Sequence, residues 1–252
     1  MIEVIFLSII QGVTEFLPVS SSAHLILFAQ YLNFSNENLT LDISLHLGSL
    51  FAVIVYFKKD LLEFVNNKFL FFKIVLSSIP VMVFGFLLVK FDLLNNLRNL
   101  KLIGWTTIIF GILLYFSDLS RVKKTINKDF KLNTAIFIGL FQIMSLIPGV
   151  SRSGIVITGG RFFNFNRSDS AKISFLMSIP TLFIISLYNL KNLSSEKNLE
   201  VSQLNFLGIL FSFLFSYFTI KYFLKYIKRF NLTIFVLYRI CLGTLILFFS
   251  YL

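Results

Sequence analysis

Charge is scarce in this chain. Only 14% of its 252 residues are Asp, Glu, Lys or Arg, whereas a soluble domain carries roughly 25%. That scarcity, with 56% apolar residues and a mean hydropathy of +0.83, excludes an ordinary water-soluble fold and makes a membrane the natural solvent. A single cysteine, Cys241, excludes an internal disulfide and offers no metal-ligand cluster. A basic cluster is missing from the N-terminus, and the first apolar run is interrupted by Gln11 and Glu15 before Pro18. It is therefore a poor signal peptide and is expected to stay in the mature protein. The net charge of +11 does not imply nucleic acid, because the basic residues sit in loops between apolar spans, where they bias membrane orientation. The 33 phenylalanines look like the bias of an AT-rich genome and carry no functional conclusion.

What the chain has is apolar length. Charge-free stretches cover 43–57, 74–89, 102–117, 173–190 and 201–220, and a sixth, Leu232 to Leu252, is broken only by Arg239. A bilayer-spanning helix needs about 20 mostly apolar residues. An all-α polytopic membrane protein with about six full transmembrane helices is expected.

The chain also aligns with itself. An offset of 131 residues pairs the segment from Gln11 to Ala23 with that from Gln142 to Gly154, without a gap. Gln11/Gln142, Val19/Val150, Ser20/Ser151 and Ser22/Ser153 are identical, and Asn33-Phe34 falls on Asn164-Phe165. We read a duplication, with repeat 1 at about 1–120 and repeat 2 at about 131–252, forming one membrane domain. Each copy opens with an apolar run too short to span, 4–17 or 134–147, then a break at Pro18–Ser22 or Pro148–Ser153, then a second short run, 22–32 or 154–163. This pattern predicts two re-entrant helix hairpins whose breaks meet inside the protein, with a binding site at the repeat interface.

One hairpin plus three spans is an odd number of crossings, so the second half is expected to be inverted. Lys and Arg assign the faces. Sixteen of the 23 fall in loops of one side, five on the other, and Arg152 and Arg239 lie within membrane segments. The basic side is expected to be cytoplasmic, with both termini outside.

Ionisable groups inside apolar segments cost about 2.5–3.5 kcal/mol each near a helix centre on insertion scales, so each is a functional candidate. Gln11 and Glu15 are four apart on one helical face and point to the break, where Ser20, Ser21 and Ser22 supply hydroxyls. Such a cluster suits a divalent cation and a phosphate oxygen together, since magnesium takes one or two carboxylates and leaves the rest to water and phosphate. The plainer alternative is a Glu15–Arg152 pair that only ties the hairpins together. The loop from Pro148 to Gly154 offers glycines at both ends, Gly149 and Gly154, hydroxyls at Ser151 and Ser153, and the Arg152 guanidinium, suited to bidentate phosphate contact. A helix restarting near Ser153 would add a partial positive charge there. His24 follows Ser20 by four residues and could take a proton, donate one, attack phosphorus, or merely pack. Asp42, His46 and Arg239 are weaker candidates: a helix N-terminal charge, a packing group, and a partner for some acid.

Together the two motifs resemble the undecaprenyl-diphosphate phosphatase family of the bacitracin-resistance type. Gln11-Gly-Val-Thr-Glu-Phe-Leu-Pro-Val-Ser-Ser-Ser-Ala-His24 is similar to its first signature and Pro148-Gly-Val-Ser-Arg-Ser-Gly154 to its second. Leu45-His-Leu-Gly48 and Ser174 to Pro180 also look like family segments. The resemblance implies inverted repeats with re-entrant hairpins in a bacterial plasma (inner) membrane. It also implies hydrolysis of undecaprenyl diphosphate to the monophosphate and phosphate with a divalent cation, Mg2+ or Ca2+, recycling the lipid carrier for cell-wall synthesis. It carries essential roles onto Glu15, Ser21, His24 and Arg152. Gln11 stands where many members have Glu, which leaves one fewer negative charge for the cation. Ser22-Ala23 replaces a Thr-Gly pair.

Metal ligation is thus expected of Glu15 and Gln11, and substrate binding of Ser20, Ser22, Ser151, Ser153, Gly149 and Gly154. Ser21, His24 and a water all stay open as nucleophile. The expected partners are a polyprenyl diphosphate lipid and the membrane, with no nucleic acid and with a homodimer as an open alternative. The rival reading is an inverted-repeat transporter or flippase of a polyprenyl phosphate, which needs an anion site but neither a proton-transfer group nor a metal carboxylate.

Overall fold

The structure, a computed structural model, describes residues 2–32, 39–66, 68–93, 97–194 and 203–252. Asn33 and Phe34 of the internal alignment, and Lys197, one of the five basic residues assigned to the outer side, lie outside the described residues. The described chain is all-α: α1 (Ile2–Thr14), α2 (Ser21–Leu32), α3 (Leu39–Tyr56), α4 (Lys58–Asn66), α5 (Lys68–Lys90), α6 (Leu100–Asp118), α7 (Ile126–Asp129), α8 (Leu132–Ile143), α9 (Arg152–Phe162), α10 (Arg167–Ser194), α11 (Gln203–Ile227) and α12 (Thr233–Tyr251). A 3-10 turn, Met144–Leu146, extends α8.

Among the described residues five helices are long and apolar enough to cross a membrane: α5, α6, the Arg167–Tyr188 part of α10, α11 and α12. The sixth expected span, 43–57, falls in α3, whose apolar part, Leu41–Tyr56, is shorter, as are α1 and the stretch Leu132–Leu146. Large apolar side chains cover the outside, among them Phe84, Phe86, Ile109, Phe116, Phe183 and Phe248. In water so large an apolar surface would drive association; in a bilayer it faces lipid. The chain is a multi-pass membrane protein.

Inside, small residues let backbones approach, as in membrane helix packing generally. A Cβ on Gly48 would lie 2.4 Å from the Ile209 carbonyl oxygen, and one on Gly139 would lie 2.1 Å from that of Ser77. Only glycine allows α3 to meet α11, and α8 to meet α5, at those points. Ser49 adds hydroxyl contacts to Ser212 at 3.1 Å and Ser216 at 3.0 Å.

The packing follows the offset of 131. Helix α1 packs on α11 as α8 packs on α5, α3 on α11 as α10 on α5, and α1 on α2 as α8 on α9. The pairs α3–α10 and α6–α12, which the offset maps onto themselves, are also in contact.

At one end of the molecule Asp118 gathers four segments. Its carboxylate accepts from Arg167 Nε at 2.6 Å, Arg167 Nη2 at 3.1 Å and the Leu232 amide at 3.0 Å, and its carbonyl accepts from Arg161 Nη2 at 2.9 Å. Arg161, counted above among loop cations, is in fact buried. Lys172 pairs with Asp60, tying α10 to α4.

Candidate active site

Both expected breaks are present and they touch each other. After α1 the chain turns through residues 15–19 and restarts as a helix at Ser21; after the 3-10 turn it restarts at Arg152. Ser20 and Ser151 hold the same unusual backbone, with φ of 73° and 72°. A non-glycine residue at positive φ costs of order 1–3 kcal/mol and persists where the surroundings fix it, typically at functional sites. In both breaks this serine caps the following helix. Ser20 Oγ accepts from the Ala23 amide at 3.4 Å and Ser151 Oγ from the Gly154 amide at 3.1 Å. The next-but-one hydroxyl lies 3.2 Å away in each, Ser20 to Ser22 and Ser151 to Ser153.

Arg239 fixes the breaks to one another. Its fully buried guanidinium donates to the carbonyls of Thr107 at 3.1 Å, Pro18 at 3.4 Å, Val150 at 3.0 Å and Gly149 at 2.9 Å. An acid partner was expected for it. The structure pairs it with carbonyls only; three of them, of Pro18, Gly149 and Val150, belong to the breaks, which is how irregular backbone is satisfied inside a membrane protein. Ser153 Oγ adds a bond to the Leu17 carbonyl at 2.7 Å. The close approach allowed by Gly149, with φ of 92°, is to Thr106 and Ile103 of α6, and that allowed by Gly154 is to Arg239.

On this frame Glu15 is the hub. It is only 7% exposed. Its Oε1 accepts from Arg152 Nη2 at 2.9 Å, and its Oε2 accepts from Ser21 Oγ at 2.7 Å and Gln11 Nε2 at 3.1 Å. Residues 137 positions apart in sequence thus form one part-buried ion pair. Two polar atoms beside it have no protein partner, Gln11 Oε1 and Arg152 Nη1, and both are buried. An unpaired buried group costs about 1–3 kcal/mol, more if charged. A cationic nitrogen and an amide oxygen left open next to one carboxylate make a place for an anion and a cation together.

His46 joins this cluster, a contact the sequence reading did not find. Its Nδ1 lies 3.0 Å from Gln11 Nε2, and its Nε2 lies 3.7 Å from Asp42 Oδ1 one helical turn away. The available signal was a histidine within an apolar span, four residues after an aspartate. His24 is near Ser20 as expected, but through the backbone: its Nδ1 is 2.7 Å from the Ser20 carbonyl oxygen. A carbonyl only accepts, so Nδ1 carries the proton and Nε2 presents a lone pair. That lone pair faces the Tyr238 hydroxyl at 2.5 Å. Tyr238 was not singled out in the sequence, where it is one of nine tyrosines.

A metal fits this donor set in one way. Among the described residues no group of three or more His, Cys, Asp or Glu side chains could hold an ion. One carboxylate, the open Gln11 oxygen and nearby hydroxyls suit an ion that takes its remaining ligands from water and substrate phosphates.

The chain is similar throughout its length to known proteins. The family described as bacitracin resistance protein BacA matches residues 4–245. The undecaprenyl-diphosphatase of Pelagibacter ubique (strain HTCC1062) is 48% identical over 251 residues, 99% of this chain and 98% of that protein. Undecaprenyl-diphosphatase 1 of Pseudoalteromonas translucida (strain TAC 125) is 40% identical, covering 96% of each. The undecaprenyl-diphosphatase of Saccharophagus degradans is 38% identical, covering 96% of this chain and 95% of that protein. A match over residues 4–245, nearly the whole chain, means that this protein belongs to the bacitracin resistance protein BacA family.

Proposed function

We propose that the chain hydrolyses undecaprenyl diphosphate to undecaprenyl phosphate and inorganic phosphate at the site where the two breaks meet. The observation that carries this reading is the contact of Glu15 with both Arg152 and Ser21. Phosphoryl transfer asks mainly for positioning and for neutralisation of charge on phosphate oxygens. Arg152, with one nitrogen already open, binds the diphosphate; Ser20, Ser22 and Ser151 line the breaks as further hydroxyls, while the Ser153 proton is spent on the Leu17 carbonyl. A divalent cation, held by Glu15 and Gln11 and completed by phosphate oxygens, supplies the remaining charge neutralisation when bound. Ser21 is the nucleophile this geometry favours. Its hydroxyl already donates to Glu15, which is placed to accept the proton as the oxygen attacks the terminal phosphorus, while the lone pair of His24 is engaged elsewhere. The P–O bond to undecaprenyl phosphate breaks as that group leaves, and water then hydrolyses the phosphoserine to release inorganic phosphate and restore Ser21. His24 is a proton-exchanging group beside the break.

The fold in this reading is a pair of inverted repeats, each with a re-entrant hairpin. Its support is the shared offset of 131 in sequence, break geometry and helix packing. The 16 to 5 split of Lys and Arg favours both termini outside and a pocket open to the outer face.

Ser21→Ala tests the assignment of the nucleophile. Phosphate release from undecaprenyl diphosphate by the purified, folded variant in detergent is expected to fall about 10²-fold, within the range for loss of a positioned proton-transfer group, with water supplying the residual rate. A variant as active as the parent would leave water as the nucleophile and Ser21 as a spectator.

A further inference from the structure

Tyr238 lies on α12, 214 residues from His24, yet two independent contacts join them. The hydroxyl is 2.5 Å from His24 Nε2, and the rings stack with centroids 5.7 Å apart and planes 6° from parallel. The tautomer follows from the other nitrogen. His24 Nδ1 meets the Ser20 carbonyl oxygen at 2.7 Å and so holds a proton, and in the neutral ring the Tyr238 O–H is the donor to Nε2. The base lone pair of His24 is therefore turned to α12, while the Ser21 hydroxyl donates to Glu15.

Tyr238 is held in this place by its neighbour. Arg239 is fully buried and bonded to the carbonyls of Pro18, Gly149 and Val150 in the two breaks. Consecutive residues of one helix thus serve one site: Arg239 fixes the backbone of the breaks, and Tyr238, 45% exposed, fixes the imidazole at the start of α2. A side chain whose rotamer is locked by packing and a second hydrogen bond keeps its reactive atom within a few tenths of an ångström of the working position.

We propose that Tyr238 is a positioning residue of the phosphatase, which holds His24 as the Nδ1–H tautomer with Nε2 directed to α12 and away from Ser21. The proposal rests on the reading that His24 serves the hydrolysis of the diphosphate. Tyr238 acts through His24, by a hydrogen bond and a stacked ring.

The chain has two histidines, His24 and His46, so its tautomers can be read directly. Purified protein labelled with 15N-histidine, in detergent at neutral pH, should show one imidazole with a protonated Nδ1 and a hydrogen-bonded, unprotonated Nε2; His46→Gln assigns the other signal. In Tyr238→Phe, which keeps the stacked ring and removes the donor, the His24 Nε2 resonance should move to the position of a lone pair without a donor. The same variant should lose about tenfold in kcat with KM within twofold of the parent. Combined with His24→Gln, it should lose nothing more than His24→Gln alone. An Nε2–H tautomer for His24, an unchanged Nε2 resonance in Tyr238→Phe, or a loss of activity that adds in full to that of His24→Gln would overturn the proposal. If the parent protein released no phosphate from polyprenyl diphosphate, the reading of the site would fall, and the 15N spectra would still decide the Tyr238–His24 pair.

Discussion

Arg152→Lys is expected to lose about 10³-fold in kcat/KM for undecaprenyl diphosphate, although the charge is kept. An arginine that stabilises phosphoryl transfer is worth about 10³–10⁵ in rate. The structure explains why lysine cannot take over. Arg152 spends Nη2 on Glu15 at 2.9 Å and keeps Nη1 free of protein partners, so one planar group serves the carboxylate and the phosphate together. An ammonium is a point charge without that fork. Next to Glu15 it would form the ion pair and have no second, fixed donor for the substrate. The measurement is phosphate release in detergent, with thermal melting to establish that the variant is folded. Near-parental turnover would reduce Arg152 to the plain tie between hairpins that the sequence also allowed.

Glu15→Gln should be equally severe, about 10³-fold, since it removes both the carboxylate in contact with Arg152 and Ser21 and the acceptor for the Ser21 proton; general acid–base groups contribute about 10²–10⁴-fold. Raising the cation concentration should not restore the rate. Gln11→Glu should behave oppositely. In the present structure Gln11 Nε2 faces both Glu15 at 3.1 Å and His46 at 3.0 Å; a glutamate there places two carboxylates together, which repel without a cation and bind one more tightly. Activity should be retained with half-maximal stimulation at a lower cation concentration. Retained activity and an unchanged cation response in Glu15→Gln would remove the carboxylate from the mechanism.

Much of this site was legible because polar residues are conspicuous against so apolar a background. Gln11, Glu15, the serines and Arg152 stand out by the cost of placing them in a membrane segment, and the offset of 131 put the two breaks in the same relation before any coordinates did. The restart of the helices was read within a residue or two, since Pro18 and Pro148 mark where helical bonding fails. The partners contributed from distant helices were not legible. Arg239 satisfies carbonyls from three segments, and a carbonyl has no sequence signature. Tyr238 is amphipathic, as any tyrosine at a bilayer surface is, and only the tertiary contact separates it from the other eight. His46 was visible as an ionisable group, but its neighbour Gln11, 35 residues away, was not. Among the described residues five helices have the length and composition of full spans, and the sixth expected one, in α3, has the shorter apolar part Leu41–Tyr56, with Asp42 in its first turn.

The central claim is that the two breaks build one site, with a cation at Glu15 and Gln11 and the diphosphate on Arg152. The most direct test is a crystal structure of the protein with Mn2+ and a non-hydrolysable polyprenyl diphosphate analogue, using the anomalous signal of manganese to place the ion. The account predicts a manganese peak against Glu15 and the open Gln11 oxygen, diphosphate density on the Arg152 guanidinium within reach of Ser21, and the analogue bridging the two. Manganese and diphosphate bound elsewhere, away from Glu15 and Arg152, would contradict it.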